Sequence, residues 1–121
     1  MDDVTAQELA ARLGEEELVL LDVRSLAEYT GALGAPCDPR QGHVPGARHL
    51  DVSDLLDATG TEAVRALVGA PAGAEVIAYC HSGARSAHAV GILLDAGYAA
   101  RNFTGSWHEW SRDSSLPVEH G

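Results

Sequence analysis

Lysine is missing altogether from this chain of 121 residues, so all 8 basic residues are arginines, set against 18 aspartates and glutamates for a net charge of −10. That balance argues against nucleic acid and anionic membrane surfaces as partners, because both demand clustered positive charge. An acidic chain that nonetheless binds a small anion must concentrate its arginines at the site. Aromatics are scarce, at 5%, which leaves Leu, Val and Ala to build the core. No apolar run approaches the roughly 18 residues of a membrane-spanning helix. The start, Met1-Asp2-Asp3, is acidic and lacks an apolar stretch behind it, so it does not read as a signal peptide. A reducing, cytoplasmic setting is the expectation. Cysteines are few: Cys37 and Cys80. Cys37, in a Pro/Gly-rich stretch, reads as an ordinary free thiol rather than a resolving partner. The length suits a single domain over 1–121 with one core.

What is present is organised around Val76-Ile77-Ala78-Tyr79-Cys80-His81-Ser82-Gly83-Ala84-Arg85-Ser86. Val76 to Tyr79 is a short apolar run that reads as a buried strand. Ser82 and Gly83 break the pattern, and from Ala84 the chain reads as a helix with Ala87, Val90, Gly91 and Leu94 on one side. Cys80 therefore sits where a strand ends and a loop enters a helix. The first-turn N–H groups of a helix lack internal partners, and with the macrodipole they create a positive field. A thiol placed there ionises more readily. Gly83 permits the tight backbone curl, and Arg85 adds a fixed positive charge. The same residues also admit a plain reading, in which Cys80 is a buried structural thiol and Arg85 a solvated first-turn side chain.

The remainder of the chain alternates between strand-like and helix-like segments. Thr5 to Glu8 fits a capping box, and Leu18 to Leu21 reads as a second buried strand ending in Asp22-Val23-Arg24. Ser25 caps a helical turn, residues 31–42 form a long irregular loop, and Pro45-Gly46 marks a type II turn. Arg48 to Leu50 reads as a short strand, Ser53 as the cap of a brief helix, and Thr61 as the opening of another helix with Val64, Leu67 and Val68 inward. Tyr98 to Phe103 supplies a last strand, and the polar tail from Ser111 is expected to be partly disordered. Alternation of this kind implies an α/β fold, an open parallel sheet with helices on both faces. Ligands in such sheets bind at the carboxyl ends of strands, so Asp22, Arg24 and Cys80 are expected to share one rim. His49, His88, His108 and His120 show no metal-ligand spacing with Cys80 or one another. His43 reads as a turn residue, and Trp107 and Trp110 as packing.

Four features, in this order, resemble the rhodanese (sulfurtransferase) family: Leu20-Leu21-Asp22-Val23-Arg24 with Glu28-Tyr29; Gly42-His43-Val44-Pro45-Gly46-Ala47; the loop Cys80 to Ser86; and Gly97-Tyr98 followed by Gly105-Ser106, Trp107 and Trp110. The long loop and the tail look like the catalytic half of two-domain thiosulfate or mercaptopyruvate sulfurtransferases, whereas the Cys80 loop looks like that of single-domain rhodaneses. The resemblance implies a rhodanese-like fold, and Cys80 as the nucleophile that takes sulfur from a small anionic donor such as thiosulfate. A thiol, cyanide or an acceptor protein then removes that sulfur. It implies a binding loop of His81, Ser82, Gly83, Ala84, Arg85 and Ser86, with Arg85 clamping an oxyanion. Asp22 and Arg24 would support the loop or pair with Arg48. No metal or organic cofactor is called for. Two departures are visible: Glu28 stands where thiosulfate-using two-domain members often carry a basic residue, and His81 follows the cysteine in place of a basic residue or glycine.

Two other functions are weighed. Phosphatases built on the same architecture resemble this chain but need the wider loop Cys-x5-Arg; here the arginine comes one residue earlier, which suits a sulfur atom better than a phosphoryl group. The second is a carrier or partner-binding module that relays a Cys80 persulfide with little turnover of small donors.

Overall fold

The computed structural model describes residues 3–121; of the acidic start, Met1 and Asp2 lie outside the described residues. Four strands, β1 (Val19–Asp22), β2 (Arg48–His49), β3 (Glu75–Tyr79) and β4 (Ala99–Asn102), form a parallel sheet in the order β2-β1-β3-β4. Leu20 lies opposite Ile77, Asp22 opposite both Tyr79 and His49, and Val76 opposite Ala100. The two central strands are covered on both faces, which is why they read as unbroken apolar runs.

Strand side chains alternate between faces, and the alternation sorts the core into two halves. Leu21, Val23, Val76, Ala78, Cys80 and Ala100 point to one face, where they meet Val52 and Leu55 of α3 (Val52–Asp57), Val64 and Val68 of α4 (Thr61–Val68), and Ala89 and Leu93 of α5 (Ala84–Asp95). Leu20, Ile77 and Tyr79 point to the other face. There they pack with Leu9 of α1 (Ala6–Ala11), Phe103, and Trp107 and Trp110 of α6 (Ser106–Trp110). The short α2 (Leu26–Thr30) follows β1 and begins in a complete capping box between Ser25 and Glu28.

Several local expectations are revised. The buried side of α5 carries Ser86, Ala89 and Leu93, while Ala87, Gly91 and Leu94 face solvent. In so Ala-rich a helix, more than one stripe satisfies the apolar spacing, and the sheet selects between them. The cap of α3 is Asp51, whose Oδ1 accepts both the amide and the hydroxyl of Ser53 at 2.9 Å. α4 ends in left-handed Gly69, ahead of Pro71, and leaves Leu67 exposed. The tail is docked. Arg40, from the long loop, donates to the carbonyls of Trp110, Ser111, Asp113 and Leu116 at 2.7 to 3.2 Å. Trp110 Nε1 donates to Pro117 O at 2.7 Å, and His43 and Glu119 exchange backbone hydrogen bonds of 2.8 and 2.9 Å. One arginine meets the carbonyl demand of an irregular segment, a link that polar composition does not reveal.

Candidate active site

Cys80 follows β3 directly, and three residues carry the chain from it into α5. Gly83 is left-handed, with φ +99°, and a Cβ there would sit 2.7 Å from Thr104 O, so only glycine fits. That geometry turns the Gly83 amide back on the cysteine, to which it donates at 3.1 Å from Sγ. The Ser86 hydroxyl, one turn into α5, lies 3.3 Å from Sγ and 3.2 Å from Gly83 O. A hydroxyl carries one proton, and a negatively charged sulfur attracts it more strongly than a neutral carbonyl does.

Cys80 is fully buried, at 0% exposure. Burial is the largest single influence on its acidity and opposes ionisation. The Ser86 hydroxyl and the amides of Ser86, Gly83 and Ser82 together outweigh it, and the thiol pKa is lowered. An inert core thiol would show the opposite shift.

A second segment holds the loop from the far side. Trp107 N donates to Cys80 O and His108 N to His81 O, both at 2.9 Å. Cys80 N donates to Ser106 Oγ at 3.0 Å, and Ser106 passes its own proton to Phe103 O at 2.8 Å. Ser106 is a left-handed non-glycine residue, φ +54°, fully buried. Backbone strain of this kind persists where surrounding contacts over-determine it. Asn102 Nδ2 adds a 3.2 Å bond to Gly83 O. Neither Asn102 nor the role of Ser106 is legible in the sequence, since both act through contacts with a loop about 20 positions away.

Arg85 is placed differently from expectation. Its guanidinium forms a fork with Glu28, at 2.9 and 3.2 Å, instead of facing an open anion site. Burial works against the Glu28 charge, but Arg85 and the Ser25 cap more than offset it and hold the carboxyl down to about 2. The acidic departure at position 28 therefore has a structural counterpart: it neutralises the loop arginine.

Asp22 and Arg24 do lie at the strand ends, but their partner is each other. Arg24 donates to both Asp22 oxygens at 2.7 to 3.1 Å and to Gly42 O at 2.6 Å. Its guanidinium stacks 5.0 Å from the Trp107 ring. Tyr79 Oη donates to Asp22 at 2.9 Å and accepts from Val44 N at 3.0 Å. This buried network ties β1, β3, the Gly42–Val44 turn and α6 together beneath the cysteine loop. Arg48 is not part of it. It donates to Val68 O and lines a cleft of about 930 Å³ with Glu75 and Val19, at the opposite end of the strands.

His81 is half-buried, its ring aimed at Asp38 and edge-on to His108, and Ser82 and Ala84 are exposed. Cys37, Asp38, His81 and His108 are the described residues whose donor atoms gather closely enough to hold a metal ion. Beside the first turn of α5, Val52, Leu56, Ala84, Arg85 and His88 line a small cleft of about 310 Å³.

Comparison with known proteins agrees with this fold. The model of the rhodanese-like domain matches residues 5–113. A probable 3-mercaptopyruvate sulfurtransferase of Pseudomonas aeruginosa is 35% identical over 98% of this chain and 44% of its own length. A sulfur carrier protein of Thermus thermophilus is 33% identical over 99% of this chain and 47% of its own. The crystal structure of a probable thiosulfate sulfurtransferase superposes with a TM-score of 0.83 at 42% identity, covering 97% of this chain and 47% of that one. The chain thus spans under half the length of these relatives. On the strength of a match running from Thr5 to Asp113, the chain belongs to the rhodanese-like domain family.

Proposed function

We propose that this domain is a sulfurtransferase that works through a Cys80 persulfide. The observation that carries the reading is the convergence of the Gly83 amide and the Ser86 hydroxyl on Sγ, at 3.1 and 3.3 Å. These donors stabilise negative charge on sulfur, and a thiolate is the nucleophilic form. In the first half-reaction the thiolate attacks the outer sulfur of thiosulfate. The donor S–S bond breaks, and its electron pair leaves with sulfite. The new terminal sulfur carries the charge, and the loop amides offset it as they offset the thiolate's. In the second, a thiolate or cyanide attacks that terminal sulfur and Cys80 leaves as thiolate. No proton, metal or external electron carrier is required for either exchange. With Arg85 paired to Glu28, the anionic end of the donor relies on amides.

The test is mass spectrometry after incubation with thiosulfate. Cys80 should gain the mass of one sulfur atom and Cys80→Ser should gain nothing; labelling that survives the substitution refutes the reading. Turnover should be ping-pong. Thiosulfate is expected to outrun 3-mercaptopyruvate in parallel assays.

A second reading, a persulfide carrier serving an acceptor protein, is favoured by the name of the Thermus thermophilus relative. It shares the loaded Cys80 and differs in slow release to small thiols. Phosphate chemistry is disfavoured, since the loop arginine is neutralised by Glu28.

A further inference from the structure

We propose that Cys37, Asp38, His81 and His108 form a zinc-class metal site on the outer side of the Cys80 loop. Their donor atoms all lie within 4.8 Å of one another. A tetrahedral zinc centre with bonds of about 2.0–2.3 Å separates its ligands by about 3.3–3.8 Å, so closure needs side-chain shifts of only about 1 Å. One thiolate, one carboxylate and two imidazoles are a donor set that suits zinc.

Asp38 is the observation that demands a cation. Its side chain is fully buried. Oδ2 lies 3.0 Å from His81 Nε2, and Oδ1 lies 3.4 Å from His108 Nδ1. Yet Oδ2 and both ring nitrogens are buried atoms without a hydrogen-bond partner. Ring nitrogens and carboxylate oxygens thus converge without the alignment of a hydrogen bond. A buried carboxylate is costly unless neutralised. The nearest fixed cation, Arg112, is 3.9 Å from Oδ1 and already donates to Cys37 O at 2.9 Å. Arg112 Nε also approaches His108 Nε2 at 3.3 Å, which favours the proton on Nδ1. Metal binding at Nδ1 therefore requires this half-exposed arginine to swing away, and Arg112 acts as a competitor for the site. Cys37 and His108 are open to solvent, giving the ion a way in.

The four ligands come from three separate segments: the irregular 31–42 loop, the residue after Cys80, and α6. A bound ion would staple the long loop to the segment that carries the reactive sulfur. The inference does not depend on sulfur transfer.

The experiment is titration of the metal-free full chain with Zn²⁺ against a chromophoric chelator, with Co²⁺ as a spectroscopic probe. One equivalent should bind. Cys37→Ser and His108→Ala, both at the surface and not expected to unfold the chain, should each weaken binding about tenfold or more, and Arg112→Ala should tighten it. The thiolate-to-cobalt charge-transfer band should persist in Cys80→Ser and vanish in Cys37→Ser. Zn²⁺ should raise the melting temperature of the unsubstituted chain and not that of His108→Ala. Substoichiometric binding, affinity unchanged in both ligand variants, or a band lost only with Cys80 would overturn the site.

Discussion

The acidity of Cys80 reflects the Ser86 hydroxyl and the amides of Ser82, Gly83 and Ser86 working against complete burial. A hydrogen bond to a charged group is worth about 1.5–3 kcal/mol, and one pKa unit is about 1.4 kcal/mol. Ser86→Ala should therefore raise the thiol pKa. With the thiolate as the proposed nucleophile, the acid limb of the kcat/KM profile for donor should move to higher pH, while the rate at high pH changes little. An unshifted limb would show that the amides alone set the acidity. Gly83→Ala meets a harder limit: a positive φ together with an approach of 2.7 Å to Thr104 O. It should lower the melting temperature by about 5–10 °C, as expected from a loss of about 1–2 kcal/mol, and it should turn the amide away from sulfur. At this scale the sequence exposed the cysteine, the glycine and the serine, because all three lie within seven consecutive positions. Asn102 stayed hidden, as did the contacts by which Ser106 and Glu28 reach the loop residues, because all three come from distant segments.

Among the elements, the ends of β1 and β3 are joined by the buried Asp22–Arg24–Tyr79 network. Removing one partner leaves an uncompensated buried charge, at a cost of about 3–5 kcal/mol. Arg24→Met should show that loss in denaturant unfolding. It should also loosen the Cys80 loop, because Trp107, against which Arg24 stacks, donates its amide to Cys80 O. The Arg85–Glu28 fork links α5 to α2 and has a functional reading. Glu28→Gln should release Arg85 toward the loop and lower the KM for thiosulfate, with little change in kcat. An unaltered KM would leave Arg85 with a structural role alone. The strand–helix alternation that predicted these elements came from apolar runs of different length. Which stripe of α5 faces inward did not, since alanine at many positions makes several stripes equivalent until the sheet chooses Ser86, Ala89 and Leu93.

For the whole molecule, the carboxylates set how stability depends on pH. Glu28 has a folded pKa near 2 against an ordinary 4.5. Its contribution is therefore fully present above about pH 4.5 and disappears as the pH falls toward 2. Melting temperatures taken across that window should fall, and less steeply in Glu28→Gln; parallel curves would remove Glu28 from the account. Trp110, fully buried, donates to Pro117 O, so Trp110→Ala should cost about 3–5 kcal/mol and release the tail to proteolysis. Among the described residues, no helix is long and apolar enough to cross a membrane. The sequence alone determined the parallel α/β order and the position of Cys80 between a strand and a helix, because strand length, helix entry and glycine placement are local properties of neighbouring residues. Only the tertiary structure decided which charges meet. It paired Arg85 with Glu28, sent Arg48 to the far end of the sheet, tied the tail down with Arg40, and gathered Cys37, Asp38, His81 and His108 at one point. Electrostatic partnership depends on distance in space, and residues as far apart in the chain as Glu8 and Arg101, 93 positions, came within bonding range.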